Sequence, residues 1–314
     1  MKGFFTMEQM HPLVIFNDTT NKHICQEKIK EQLKTLEERK KAQLEIIPHI
    51  LESWKNAEIY SEDKEKRIFD CGTYIEFDES GDIVGANFCK DKLCPICQWR
   101  KSRKVFGEIM RIQREIENYT DNFAMLTLTL KNTDELHEGI SHILSSFYNF
   151  SNDRTFKKKT LGYIRTLEIT YNQKTAQWHP HLHLIVALTE DYFDDMITTE
   201  KWANIWQRAC RIEYLPIVDI RAIGKSATLR EKAVAEVAKY ALKPFQTDGN
   251  ESDTLTAYKG LYSGSKKRRL RSYGGIYAKA RKLLLEKGVV GDCMVSYVLK
   301  ADVYVTYMAR YVKN

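Results

Sequence analysis

The chain has 314 residues, 43% of them hydrophobic, with 49 Lys and Arg against 42 Asp and Glu for a formal net charge of +7. That length allows two domains and a well-buried core, and the basic balance favours an acidic partner, nucleic acid before others. No apolar run is long enough to span a bilayer, and no basic stretch followed by an apolar one opens the chain, so neither a membrane protein nor a secreted one is expected.

Residues 24 to 47 read as a charged amphipathic helix, with Ile29, Leu33, Leu36, Leu44 and Ile47 at near-helical spacing. Pro48 is expected to interrupt it, with a shorter helical stretch through Ile50, Leu51 and Trp54 beyond. Residues 1–65 are therefore taken as a helical accessory region.

The character changes over residues 66–106. Thr73–Phe77 and Ile83–Phe88 flank the turn-like Asp78–Asp82, a hairpin pattern. Cys71, Cys89, Cys94 and Cys97 follow a C-x17-C-x4-C-x2-C spacing that ends in the knuckle Cys94-Pro95-Ile96-Cys97. Four thiolates suit a closed, structural zinc site, with an iron–sulfur cluster as the minor alternative. Seven cysteines, an odd number with four of them clustered, fit a reducing cytoplasm better than a disulfide framework. Cys25, Cys210 and Cys293 read as ordinary free thiols. The basic stretch Gln98–Lys104 could lie along phosphates or be a solvated helix face.

From 107 to 287 strands and helices alternate. Arg100–Glu117 is basic and helical, and Phe123–Lys131 is a strand alternating around Thr127 and Thr129. His137–Phe150 is a helix, and Tyr163–Tyr171 is a strand. His179-Pro180-His181-Leu182-His183 then runs into Leu184-Ile185-Val186-Ala187-Leu188. A strand turns alternate side chains to one face, so His181 and His183 share a face, a favourable start for a divalent-metal site. Two imidazoles need a third ligand, and Glu168 on the preceding strand is the best placed. His/His/Glu with open positions suits Mg²⁺ or Mn²⁺. His179 shares the face without a settled role. Thr198–Arg211 is helical, Ile217–Ile223 extended, and Leu229–Leu242 helical with Val234, Val237, Ala238 and Ala241 on its apolar side. Glu236, Lys239, Tyr240 and Lys243 fall on the other side, where Tyr240 is a surface residue or, beside a carboxylate and two lysines, a nucleophile. A Gly-, Ser- and base-rich loop is expected from Gly249 to Arg271. Its Lys266, Lys267, Arg268, Arg269 and Arg271, interleaved with tyrosines, suit single-stranded DNA or, equally, a solvated loop. The whole predicts an α+β fold on a central, largely antiparallel sheet flanked by helices. Residues 288–314 are left as a C-terminal extension.

Four segments together resemble the rolling-circle replication initiators of small Gram-positive plasmids, in the histidine-hydrophobe-histidine (HUH) endonuclease superfamily. They are Phe123–Asn132, His179–Ile185, Glu236-Val237-Ala238-Lys239-Tyr240, and Cys89–Cys97 with its Trp-Arg-Lys tail. Pro244 departs from the acidic residue of relatives, and Gly288–Asn314 matches no motif. The resemblance implies an HUH nuclease domain over 107–287 that nicks one strand of plasmid origin DNA. Tyr240 would stay joined to the 5′ phosphate, and the freed 3′-OH would prime a host polymerase behind a host helicase. His181, His183 and Glu168 would hold the metal, and Glu236 would activate water in the terminating cleavage.

Overall fold

A computed structural model describes residues 12–15, 22–78, 80–239, 251–288 and 305–309. The chain forms two compact units, Met1–Arg100 with Asp292–Asn314, and Lys101–Gly291. The first holds β1 (Pro12–Ile15), α1 (Lys22–Asn56), α2 (Glu62–Asp70), β2 (Tyr74–Phe77) and β3 (Ile83–Ala86), and α3 (Pro95–Ile116) begins in it. The second continues through β4 (Phe123–Thr129), α4 (Leu136–Asn152), α5 (Arg154–Lys159), β5 (Thr160–Asn172), β6 (Gln177–Leu188) and α6 (Thr199–Cys210). It ends with β7 (Val218–Ile223), α7 (Ala227–Lys239), α8 (Glu251–Gly264), β8 (Arg271–Gly275) and α9 (Ile276–Glu286). Finally β9 (Val305–Ala309) pairs antiparallel with both β1 and β2, giving the first unit a sheet in the order β1-β9-β2-β3. Among the described residues no helix is long and apolar enough to cross a membrane.

In the first unit the expected break at Pro48 does not occur, and α1 runs through it. A proline inside a helix costs about 3 kcal/mol through its missing N–H and ring clash. Here Pro48 sits on the exposed side, while Ile29, Leu33, Leu36, Lys40, Gln43, Ile47, Ile50 and Trp54 form an unbroken buried seam. Their alternating steps of four and three residues keep one side of the helix inward, and burial on both sides of the proline offsets its cost. Leu44, expected on that stripe, is only half-buried, because Gln43 takes the inward position. The hairpin β2–β3 forms as expected. Its turn is closed by the Asp78 carboxylate, which accepts from the Ser80 and Asp82 amides at 3.0 and 2.8 Å, an Asx turn.

The second unit is built on one five-stranded sheet, order β7-β4-β6-β5-β8, antiparallel throughout. This is the α+β architecture that the sequence predicts. On one face Phe150 meets Phe147, Phe156, Trp202 and Trp206 from α4, α5 and α6, with ring centroids 5.0 to 6.3 Å apart. Among the described residues, helices cover the other face at one end only. There Val105, Ile109, Ile112 and Ile116 of α3, Val234, Val237 and Ala238 of α7, and Tyr277, Ala280 and Leu284 of α9 form one core with Phe123, Ile164, Ile185 and Ala187 of the sheet. Burial along β6 records the boundary. From Gln177 to His183 buried and half-buried residues alternate, and from Leu184 to Leu188 every residue is buried, as expected for a strand covered first on one face and then on two.

Two local features make this possible. Pro180 falls between the last β4–β6 pair (Thr129 with His181) and the isolated bridge Thr133–Trp178, where that ladder is already interrupted and a missing N–H costs least. Gly275 adopts φ +57 at the switch from β8 directly into α9, with its α-carbon pressed on the Leu161–Gly162 backbone. A side chain there would meet both steric and conformational penalties.

The loop expected from Gly249 to Arg271 is a correction: residues 251–264 are the helix α8. Thr254, Ala257, Tyr258, Leu261 and Tyr262 are buried at helical spacing, which outweighs the loop-like letters among them. Gly260 is where the helix lies against the Trp178 ring, and a Cβ there would collide with it. The Ser263 hydroxyl donates to the Lys259 and Gly260 carbonyls at 3.1 and 3.2 Å, so it needs no partner outside the helix. The helix expected to reach Leu242 is described to Lys239. Arg230 ties its start to the sheet through ion pairs with Glu117 (3.0 Å) and Asp121 (2.7 Å) and by stacking on Phe123.

Candidate functional site

At the half-covered end of the sheet, the antiparallel register sets Glu168 opposite His181 and Thr166 opposite His183, with Thr129 and Thr127 opposite the same two histidines on the far side. Residues directly opposite one another share a face. Glu168, His181 and His183 therefore stand together, and one ligand atom from each lies within 4.8 Å of the others. The Glu168 Oε2 atom is 2.5 Å from His181 Nε2 and 2.9 Å from His183 Nε2. The carboxylate side chain is 4% exposed and each imidazole 12%.

The outer ring nitrogens are held as well. His183 Nδ1 meets the Thr127 hydroxyl at 3.2 Å, and His181 Nδ1 meets the His179 carbonyl at 3.3 Å. A carbonyl only accepts, so that contact places a proton on Nδ1 of His181. The Nε2 atoms of both rings face the same carboxylate oxygen. Two imidazole nitrogens and a carboxylate on one side form a donor set that a divalent ion fits. His179 stays out of the convergence: its ring is beside that of His181, at 5.1 Å between centroids, but it contributes no atom to the group. Burial, with His181 beside it, holds its pKa below the usual histidine value.

Thr127 alternates with buried neighbours in β4, and no motif in the sequence marks it for this contact. Thr127→Val is expected to weaken divalent-cation binding roughly 10–100-fold, the usual cost of losing an orienting partner, and Thr127→Ser to restore it. Mn²⁺ titration calorimetry measures this, and an unchanged affinity for the valine variant would show that the hydroxyl does not set the ring.

Helix α7 packs on the same sheet face through Val234, Val237 and Ala238. Glu236 is half-buried on it. Tyr240 and Lys243 lie outside the described residues, as does the side chain of Lys239. The basic run beyond α8 divides. Arg268 is tied to α4, its guanidinium 2.6 Å from both His137 Nε2 and Ser141 Oγ. Lys266, Lys267 and Arg269 are exposed, and Arg271 lies within β8.

In the first unit Cys71, Cys89, Cys94 and Cys97 converge as their spacing suggests. Sulfur pairs are 3.7 Å (71–94), 3.6 Å (71–97) and 3.5 Å (89–97) apart. Corners of a tetrahedron about 2.3 Å from a central ion would be about 3.8 Å apart, so the four sulfurs fit a metal. Backbone amides of Cys89 and Lys90 point at the Cys71 and Cys97 sulfurs, at 3.4 and 3.2 Å. The buried polar pair of α1 serves the same place. Gln43 donates to Cys94 Sγ at 3.1 Å, and Lys40 donates to the Phe69 and Cys71 carbonyls at 2.6 and 3.0 Å. Burial lowers the Lys40 pKa, while the neighbouring cysteines act to raise it. Neither residue was singled out from the sequence, although their place in the seam of α1 was legible. Cys210 is a buried free thiol, its pKa pushed up to about 12 by burial.

Residues 81–300 match the sequence profile of a family described as replication protein. The chain is 33% identical to "Protein rep" of Streptococcus pneumoniae serotype 2 (strain D39 / NCTC 7466) over 237 residues, 72% of this chain and 73% of that one. It is 33% identical to "Protein rep" of a Bacillus species over 262 residues, 74% and 84% of the two chains. A "Replication protein" of Staphylococcus aureus is 29% identical over 204 residues, 61% and 84% of the two chains. No solved structure matches the chain.

Proposed function

The chain belongs to the replication protein (Rep) family of plasmid replication initiators, and from that premise we propose that it starts rolling-circle replication by nicking and rejoining one strand of origin DNA. The observation that carries this reading is the convergence of Glu168, His181 and His183 on a half-open sheet face that α7, the helix of Glu236, also covers. Nuclease chemistry is assigned to residues 107–287 and metal-stabilised structure to residues 66–106.

In this reading Glu168, His181 and His183 would hold Mg²⁺ or Mn²⁺, which would supply Lewis-acid stabilisation of charge on the phosphoryl oxygens. The Tyr240 oxygen forms the new bond to phosphorus, the bond from phosphorus to the 3′ oxygen breaks, and the departing oxygen takes up a proton to become the 3′-OH. One phosphodiester replaces another, so rejoining needs no ATP. A phenol ionises near pH ~10, so the attacking group needs cationic neighbours at neutral pH, a role given to Lys239 and Lys243. Glu236 acts at termination by taking a proton from water. Lys266, Lys267, Arg269 and Arg271 contact origin DNA, while Arg268 is held against α4. A host helicase and polymerase act downstream, in the bacterial cytoplasm. The four cysteines hold Zn²⁺, whose preference for a closed thiolate tetrahedron needs no redox chemistry.

The test is an adduct assay. With Mn²⁺ and labelled single strands tiled across the plasmid's replication origin, the protein is expected to form an SDS-resistant protein–DNA adduct that EDTA prevents. Glu236→Ala should still nick while failing to release after termination. If wild type forms no adduct on any strand, a DNA-binding regulator with structural histidines replaces the nicking enzyme, and if Glu236→Ala stops the first cleavage, Glu236 belongs to the initiating step.

A further inference from the structure

The five basic residues of the run from Lys266 to Arg271 do not share one environment, and the sheet register separates them. Thr166 pairs with His183 on one side and with Arg271 on the other. Arg271 is therefore in the same row and on the same face as His183, two strand spacings away, roughly 10 Å at the backbone. Between them Thr166 is fully buried, and its hydroxyl has no hydrogen-bond partner. Arg271 is itself half-buried, and its Nε is shielded from solvent with no partner.

Among the described residues Arg271 has no carboxylate. By register the nearest acid along β5 is Glu168, which is engaged by the two imidazoles. Glu108, on the same side of the sheet, takes the Tyr273 hydroxyl at 3.1 Å and Arg281 at 2.6 Å. What Arg271 has instead is a second cation. Lys101 is two helical turns before Glu108 on the same side of α3. Glu108 reaches Tyr273, two residues along β8 from Arg271 and on the same face. Burial first, and the Arg271 guanidinium second, hold the Lys101 pKa below its usual value. Lys101 too has no acidic partner among the described residues. Two like charges gathered on a partly desolvated surface, with a buried hydroxyl beside them, are unfavourable in the free protein and are offset by an anion.

We propose that Arg271 and Lys101 form a phosphate subsite on the metal-facing side of the sheet, holding the DNA strand at a phosphate next to the one addressed by Glu168, His181 and His183. This rests on the nicking reading for the role of the triad, but the subsite itself requires only a nucleic-acid strand. It also sorts the basic run. Arg268 turns to α4, and Arg271 with Lys101 faces the chemistry. Roughly 10 Å between strand centres is a distance that an extended single strand covers in about one or two nucleotides, so one strand can reach both groups.

The experiment uses the full chain and a fluorescein-labelled 20-nucleotide oligo-dT, with affinity read by anisotropy across a KCl series without divalent metal. Removing one phosphate contact should flatten the slope of log K against log salt by about 0.7. Arg271→Ala and Lys101→Ala are each expected to do this, with a three- to tenfold loss of affinity near 100 mM salt. Arg271→Lys should keep the slope, because it keeps the charge. Mn²⁺ affinity by calorimetry should stay within about twofold of wild type, which a distorted sheet would not allow. An unchanged slope in a folded Arg271→Ala overturns the proposal. Should that variant fail to fold, Lys101→Ala, beyond the packed core of α3, decides in the same way. The two readings fail separately: a wild type that nicks while both variants keep the slope loses the subsite alone, and one that never forms an adduct while the slopes flatten loses the nicking reading alone.

Discussion

Tyr240→Phe is expected to eliminate the covalent protein–DNA adduct while leaving oligonucleotide affinity and Mn²⁺ binding within about twofold of wild type. The substitution removes one oxygen, the atom proposed to bond to phosphorus, and keeps the ring. A lysine attacking in its place would form a phosphoramidate of different acid stability, and water would give a nick with no adduct. Loss of a nucleophile that acts together with a metal costs commonly three or more orders of magnitude in rate, so the adduct should fall below detection. The assay is denaturing electrophoresis of an end-labelled strand, scored for both adduct and free nicked product. A nick without an adduct in wild type would assign the attack to water, and an adduct surviving in Tyr240→Phe would move the nucleophile to another residue. The placement of α7, whose last described residue directly precedes Tyr240 in sequence, supports this choice. Val234, Val237 and Ala238 seat it on the face that carries Glu168, His181 and His183, and Arg230 fixes its start through two ion pairs.

Cys94→Ser is expected to release the metal from the four-cysteine site and unfold the segment from Cys71 to Cys97. Cys94 is fully buried and belongs to the same core as Ile29, Leu33, Ile75, Phe77 and Ile96. A structural zinc contributes about 10–16 kcal/mol to the folding of a small metal domain, comparable to or above the total stability of a typical domain. The substitution also takes the sulfur acceptor from the Gln43 amide and leaves the buried Lys40 ammonium near fewer thiolates. Elemental analysis should find near-stoichiometric zinc in wild type and little in the variant, and hydrogen exchange should show protection lost over 71–97. Iron in wild type would replace zinc in the assignment. Retained metal and protection in the variant would remove Cys94 from the site.

Much of this was legible in the sequence because it is local. Period-two alternation in His179–His183 puts two imidazoles on one face wherever the strand goes, and a knuckle of two cysteines binds through neighbouring backbone. Glu168 could be chosen because a short polar turn joins its strand to the histidine strand, and hairpin registers are set nearby. Pro48 and the glycine and serine of α8 are local breakers, and each was outweighed by burial that no local pattern reports, the seam of α1 in one case and the Trp178 contact of Gly260 in the other.

The chemistry available can be read along the chain: four cysteines at metal spacing, two histidines on one strand face, a carboxylate one strand away, a basic balance and the motifs of an initiator family. What stands beside what depends on packing. Packing keeps His179 out of the cluster, brings the Thr127 hydroxyl to His183, sets Gln43 on the Cys94 sulfur and Lys40 on the Cys71 carbonyl, and divides one basic run between α4 and the row of His183. Ligand type follows from the residue and its immediate period, whereas orientation, desolvation and charge neighbourhood are set by strand register and by which end of a sheet face the helices leave uncovered.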